Sequence, residues 1–162
     1  MPRILCCLRL IRRFAKFNQS GCCGLEEQAI GASRGGKNTK IHVLLNERMQ
    51  LLNVVLTGGQ IHDSEPVFEL FEGIRLSGKT VFADRAYSCD KVRSYLERGG
   101  AKVCIPDTAN FKVNHSFDAE LYKQRNLVER FFSVLRIIAT RYDKFAFCFR
   151  NFVLLVASVI HL

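Results

Sequence analysis

No run of apolar residues in this sequence is long enough to cross a membrane or to form the core of a signal peptide. In MPRILCCLRLIRRFAKF the short apolar stretches are broken by Arg9, Arg12 and Arg13, and the C-terminal run from Phe152 to Ile160 falls short of the roughly 20 residues that a bilayer requires. That run reads as a buried closing helix, and no membrane partner is expected. Zinc-type cysteine spacing is also lacking. Seven cysteines are present, but Cys6 with Cys7 and Cys22 with Cys23 are adjacent pairs without the C-x-x-C step that lets one turn grip a metal ion. Cys89, Cys104 and Cys148 stand in apolar contexts, as small hydrophobes of a reducing compartment. Acidic residues are scarce at the start: no aspartate precedes Asp63, and Glu26 and Glu27 are the only acidic residues before Glu47. Internal repeats and low-complexity tracts are absent too.

What is present suits one core of ordinary size. The chain has 162 residues, of which 48% are hydrophobic, so a single globular domain is the default. The net charge of +9 fits a polyanionic partner, or equally a soluble surface. Its distribution is uneven. Residues 1–50 hold nine basic and three acidic side chains, residues 51–100 hold six and seven, and residues 101–162 hold nine and five. A neutral to acidic centre flanked by basic surface is how a site that holds metal ions against nucleic acid is built.

Turn and periodicity signals predict the order hairpin, helix, strand, helix, strand, helix. After the glycine-basic segment RGGKNTK come two β-rich runs, Ile41 to Leu45 and Leu51 to Thr57, which read as a hairpin. Asp63 or Ser64 offers a cap for a helix with Pro66 in its first turn. KTVFA, Lys79 to Ala83, reads as a buried strand ending at Asp84, residues 90–98 as an amphipathic helix stopped by Gly99 and Gly100, and Ala101 to Pro106 as another strand. Such a βαβ unit requires parallel strands. A long helix from about Asp118 to Tyr142 and the closing helix complete the chain.

Within the long helix, Tyr122, Arg125, Glu129 and Arg136 fall on one stripe, at offsets of roughly 0, 3, 7 and 14 that project within about 60° of one another. Leu121, Val128, Phe131, Leu135 and Ile138 form a separate apolar face. Arg125 with Glu129 is also an ordinary i,i+4 ion pair. Asp84 stands at the carboxyl end of a strand, where open α/β sheets bind ligands, and could equally cap the turn that follows. If Asp84 and Glu129 converge on one rim, their hard oxygens suit Mg²⁺ or Mn²⁺, with Arg125 and Arg136 placed to meet phosphates. His42 and His62 read as structural or DNA-facing, and Asp63 as a cap.

AIGASRGGKNTKIHVLL, VVLTGGQIHDSEPV, VFADRAYSCD and YKQRNLVERFFSVLRIIATRYDKFA together resemble the DDE transposase domain of IS5-type insertion sequences, over about residues 25–160. The resemblance implies an α/β fold of RNase H-like type, with a mixed sheet and flanking helices, in which two Asp and one Glu hold a pair of divalent ions. It places the second Asp at Asp84 and the Glu at Glu129. The signature of Tyr, two residues, Arg, three residues, Glu, six residues, Lys is matched by Tyr122, Arg125, Glu129 and Arg136, with Arg in the last place. The implied reaction is Mg²⁺- or Mn²⁺-dependent cleavage at transposon ends and strand transfer into target DNA. Tyr122, Arg125, Arg136, Lys37 and Lys40 are the expected DNA contacts, in the bacterial cytoplasm at the nucleoid.

The family's first Asp belongs on the first strand, and no aspartate stands there. Residues 1–24 are therefore expected to be a basic leader, disordered or out of frame, ahead of a partial domain at 25–162 whose first strand is missing or degenerate. An incomplete metal site follows, in either the downstream frame of a frameshifted element or a decayed copy. The partners expected are DNA and a second copy or an upstream-frame product. The alternative is a catalytically silent fragment that binds DNA or intact transposase and regulates it. A decay product without a stable fold is the third reading, because loss of a central strand exposes pairing edges.

Overall fold

A computed structural model describes residues 4–6, 28–33, 36–107, 118, 122–123, 131–133 and 145–160. The expected hairpin is its backbone: β3 (Gly36–Asn46) runs antiparallel to β4 (Leu51–Gly58), from Thr39 opposite Gly58 to Leu45 opposite Leu51. Asn46 closes the connection. Its side-chain oxygen accepts from the amides of Arg48 and Gln50, both at 2.9 Å, so the turn's donors are satisfied locally. On its other edge β3 pairs antiparallel with β2 (Gly31–Ser33) and, further along, with β1 (Ile4–Cys6).

β1 lies within the segment expected to be a leader outside the fold. Ile4, Leu5 and Cys6 pair with Asn46, Leu45 and Leu44, and the strand also lies against β5 (Thr80–Phe82). It therefore stands between the antiparallel strands and the parallel pair, the central place that the first strand was expected to leave empty. Among the described residues this strand comprises three, too few to announce themselves by alternation.

β5 and β6 (Lys102–Cys104) are parallel, with Val81 opposite Val103. Between them α2 (Asp90–Arg98) buries Val92 and Leu96, four residues apart on one face. Gly100, at φ +80°, ends it: its amide bonds to the Glu97 carbonyl and the Ala101 amide to the Leu96 carbonyl, the left-handed stop that favours glycine. The result is the mixed α/β class that the sequence predicts, with antiparallel and parallel sheet and flanking helices.

Two elements differ from expectation. The helix after Gly59 is one turn only, α1 (Val67–Leu70), with Pro66 rather than Asp63 or Ser64 at its N-cap, and Gly73 at φ +72° turns the chain away soon after. The closing helix, α3 (Ala146–Ile160), begins earlier than expected and is buried on one face only. Phe149, Val153, Val156 and Ala157 face inward, whereas Phe147 is 64% and Leu155 63% exposed. Its apolar run is amphipathic by position, since the sheet can cover only one side.

Alternation along β3 separates two cores. Ile41, Val43 and Leu45 pack with Phe131, Phe132 and the inner face of α3. Leu44 joins Val55, Val81, Tyr87, Val92 and Leu96 on the opposite side. Each large aliphatic side chain buried this way contributes about 1.5–3 kcal/mol. The same alternation carries His42, 1% exposed, into the second layer with Leu44. Phe131 was expected on the apolar face of the long helix. Residues 119–121, 124–130 and 134–142 of that expected helix lie outside the described residues.

Candidate functional site

β5 delivers Asp84 to the end of the sheet. Phe82 and Ala83 are buried, and two residues beyond the strand the chain turns into a single 3₁₀ turn, Arg85–Tyr87. Asp84 is its N-cap: the carboxylate accepts from the Arg85 amide at 2.7 Å and the carbonyl accepts from the Tyr87 amide at 2.9 Å. The capping role and the strand-end position coexist in one residue. A carboxylate has lone pairs enough for an amide and a further partner.

Tyr87 carries the turn inward. Its ring is 2% exposed, its hydroxyl lies 2.7 Å from His42 Nδ1, and the other ring nitrogen of His42 lies 2.9 Å from the Thr57 hydroxyl. The two rings meet edge to face, with centroids 6.1 Å apart. Burial is the main cause that pulls the His42 pKa down to about 4. The carboxylate of Asp63 works against the shift and the ammonium of Lys40 assists it. His42 is thus a neutral structural histidine near neutral pH. Tyr87 was not singled out by sequence reading, and the signal available was a large aromatic three residues after a strand-end aspartate in an otherwise polar turn.

The segment after β6 is held by a second buried polar group. Arg93 of α2, 4% exposed, donates to the Ile105 carbonyl at 2.7 Å and to Asp107 at 2.6 Å, with a longer contact of 3.3 Å to the Ser88 hydroxyl. Arg93 was also missed, because the helical wheel gives no reason to bury a cation. It bridges the loops that follow both parallel strands.

Of the expected site residues, Tyr122 lies at this end of the sheet. It is half-buried and packs against Phe82 and Cys104, while the Asp118 carbonyl accepts a weak bond from the Cys104 thiol at 3.7 Å. Asp118 and Tyr122 are thereby set against β5 and β6, and burial pushes the Cys104 thiol pKa up. Lys40, expected to meet DNA, makes an ion pair within the protein. Its ammonium is 2.6 Å from both the Asp63 carboxylate and the Ile61 carbonyl, so Asp63 is an ion-pair partner rather than a helix cap. Lys37 sits in β3 opposite Ala32. Arg125, Glu129 and Arg136 lie outside the described residues.

Carboxylate oxygens are the ligands that a hard divalent cation takes, and Asp84 offers them at the strand end. Among the described residues no group of three or more His, Cys, Asp or Glu side chains could hold a metal ion. The described part of the site therefore has the right donor chemistry and too few donors. No helix among the described residues is long and apolar enough to cross a membrane.

Antiparallel and parallel sheet flanked by helices, with a carboxylate at the end of a parallel strand, is consistent with a nuclease-type α/β domain of RNase H-like class. The chain belongs to the family described as the transposase DDE domain, which it matches over residues 24–160. A Brucella ovis protein provisionally described as the transposase for insertion sequence element IS6501 is 32% identical over 133 residues, which cover 76% of this chain and 98% of that relative. No solved structure matches the chain. Enzymes of this family act on DNA, and their domains generally use divalent metal ions.

Proposed function

We propose that the chain is the catalytic portion of an IS5-type insertion-sequence transposase, with Asp84 and Glu129 as its two remaining metal-facing carboxylates and without the first. The observation that carries this reading is the position of Asp84 directly beyond β5, which lies beside the short strand β1. Asp84 and Glu129 would hold Mg²⁺ or Mn²⁺, which would supply activation of a water or a 3′-hydroxyl and stabilisation of the leaving oxygen at a phosphodiester. Asp84 is held for that task by the turn that it caps. Arg125 and Arg136 share the Glu129 stripe in sequence, where guanidinium groups meet phosphate oxygens in two-point contacts. Tyr122 and Lys37 complete the DNA side. The partners are DNA and either a second copy or the product of an upstream frame, of which only the latter could supply the missing carboxylate, in the bacterial cytoplasm at the nucleoid.

A second reading is favoured by one specific feature. β1 consists of Ile4, Leu5 and Cys6, so the strand that should bear the first Asp bears no carboxylate. The chain alone is then a catalytically silent DNA-binding fragment that regulates intact transposase. Supercoiled plasmid with Mn²⁺ distinguishes the cases. The expected result is salt-sensitive binding without nicking by the chain alone. Nicking that survives purification and disappears in Asp84→Asn would mean that the site is complete, and absence of DNA binding would remove both readings.

A further inference from the structure

We propose that Tyr87, anchored by His42, is the positioning residue that fixes the Asp84 carboxylate at the end of β5. This rests on the reading of Asp84 as a metal-facing group. Three bonds in series connect that carboxylate to the middle of the sheet. His42 is fixed on β3 by strand pairing opposite Val55. Its Nδ1 holds the Tyr87 hydroxyl at 2.7 Å, the Tyr87 amide holds the Asp84 carbonyl at 2.9 Å, and the Arg85 amide inside the same turn holds the Asp84 carboxylate at 2.7 Å.

The geometry needs such an anchor. β5 is only three residues long and ends at Phe82, so Asp84 is already outside the ladder. Beyond it, Arg85 and Ala86 are exposed, and a single 3₁₀ turn has too few internal bonds to persist unsupported. Tyr87 is the one buried side chain of this turn, and its hydroxyl ties the turn to a different strand. A neutral imidazole has one donor and one acceptor nitrogen, so the Tyr87 and Thr57 hydroxyls satisfy it from either side. The ring is thus locked in one orientation, and the Tyr87 ring with it. Residues that orient a ligating side chain in this way commonly govern metal affinity without touching the ion.

The test uses the full-length chain labelled with ¹⁵N, comparing wild type with Tyr87→Phe, with the double variant His42→Leu/Tyr87→Phe, and with Thr57→Val. Two quantities are read: hydrogen exchange at the Arg85 and Tyr87 amides, and broadening of the Arg85 amide resonance by Mn²⁺. In Tyr87→Phe the ring stays and only the hydroxyl goes. Exchange at both amides accelerates by up to about tenfold, and the Mn²⁺ needed for half-broadening rises about tenfold. Thr57→Val, which removes the second bond on the His42 ring but keeps the Tyr87 hydroxyl, shifts both in the same direction by less than Tyr87→Phe does.

The double variant separates positioning from stability. With both buried partners made apolar, the unfolding midpoint recovers toward wild type, yet exchange and broadening stay altered. Unchanged exchange in Tyr87→Phe would overturn the proposal, as would recovery of exchange and broadening together with stability in the double variant. If wild type shows no Mn²⁺ broadening while Tyr87→Phe still accelerates exchange, the anchor stands and the metal-facing reading of Asp84 falls.

Discussion

The Arg93 guanidinium lies 2.6 Å from the Asp107 carboxylate, and the same nitrogen lies 2.7 Å from the Ile105 carbonyl. One side chain of α2 thus fixes the segment that leaves β6, as the His42–Tyr87 bond fixes the turn that leaves β5. Both strand-end loops that frame the candidate site are tied to buried polar groups, not to more sheet. Buried polar contacts are costly when half-made, which gives each a measurable consequence.

Replacing Arg93 by alanine removes its guanidinium from Asp107 and its bond to the Ile105 carbonyl. Breaking one side of a buried pair costs about 3–5 kcal/mol, and the partial exposure of Asp107, 17% for its side chain, puts the expected loss near the lower end. Arg93→Lys keeps the charge but not the planar fork, so it recovers only part. Urea unfolding reads both. A loss below about 1 kcal/mol in Arg93→Ala would place this pair among ordinary surface pairs.

His42 gives the protein a pH dependence with a definite sign. Its pKa falls from 6.5 to about 4 on folding, so between those values the unfolded chain takes up a proton that the folded one refuses. Its contribution is complete above pH 6.5 and is lost as pH falls toward 4, amounting to about 3 kcal/mol over the window. Stability curves of wild type and His42→Gln should converge as pH drops through this range. Parallel curves would show that the imidazole is not held neutral.

Lys40 and the arginines of the long helix should separate in a DNA-binding assay. Lys40 is bonded to Asp63 and to the Ile61 carbonyl, with only 13% of its side chain exposed. Lys40→Met should lower thermal stability and leave the salt dependence of plasmid binding as it was. Arg125→Ala or Arg136→Ala should instead reduce the slope of log K against log salt by about one for each phosphate that is no longer neutralised. The reverse pattern would return Lys40 to the DNA side.

Sequence periodicity was enough for the parts that have a period. The hairpin of β3 and β4, the parallel pair β5 and β6, and α2 with its stop at Gly99 and Gly100 are all close to where alternation and turn chemistry predict them. β1 was illegible because three residues carry no pattern, and pairing to Asn46, Leu45 and Leu44 gives it a place in the sheet. α1 was overestimated because the Asp63 carboxylate is drawn to Lys40, 23 residues earlier, which no local rule can foresee. The exposed face of α3 follows from which side the sheet occupies, not from its composition.

For the site the division is similar. Asp84 could be placed at a strand end from the sequence, because KTVFA followed by Asp84 is a local signal. The supports of that residue, His42 and Tyr87, are 45 residues apart, and only the fold brings an imidazole from β3 under a turn after β5. Arg93 and Asp107 are closer in sequence, yet their pairing depends on the crossover that returns α2 to β6.

The most direct measurement is Mn²⁺ binding by calorimetry on the purified chain, with Asp84→Asn and Glu129→Gln beside it. Specific binding that each substitution abolishes is the predicted result, since both carboxylates would then face one ion despite the missing first Asp. Binding indifferent to the two substitutions, or no specific binding by a cooperatively folded wild type, would contradict the assignment of Asp84 and Glu129 to a shared metal site.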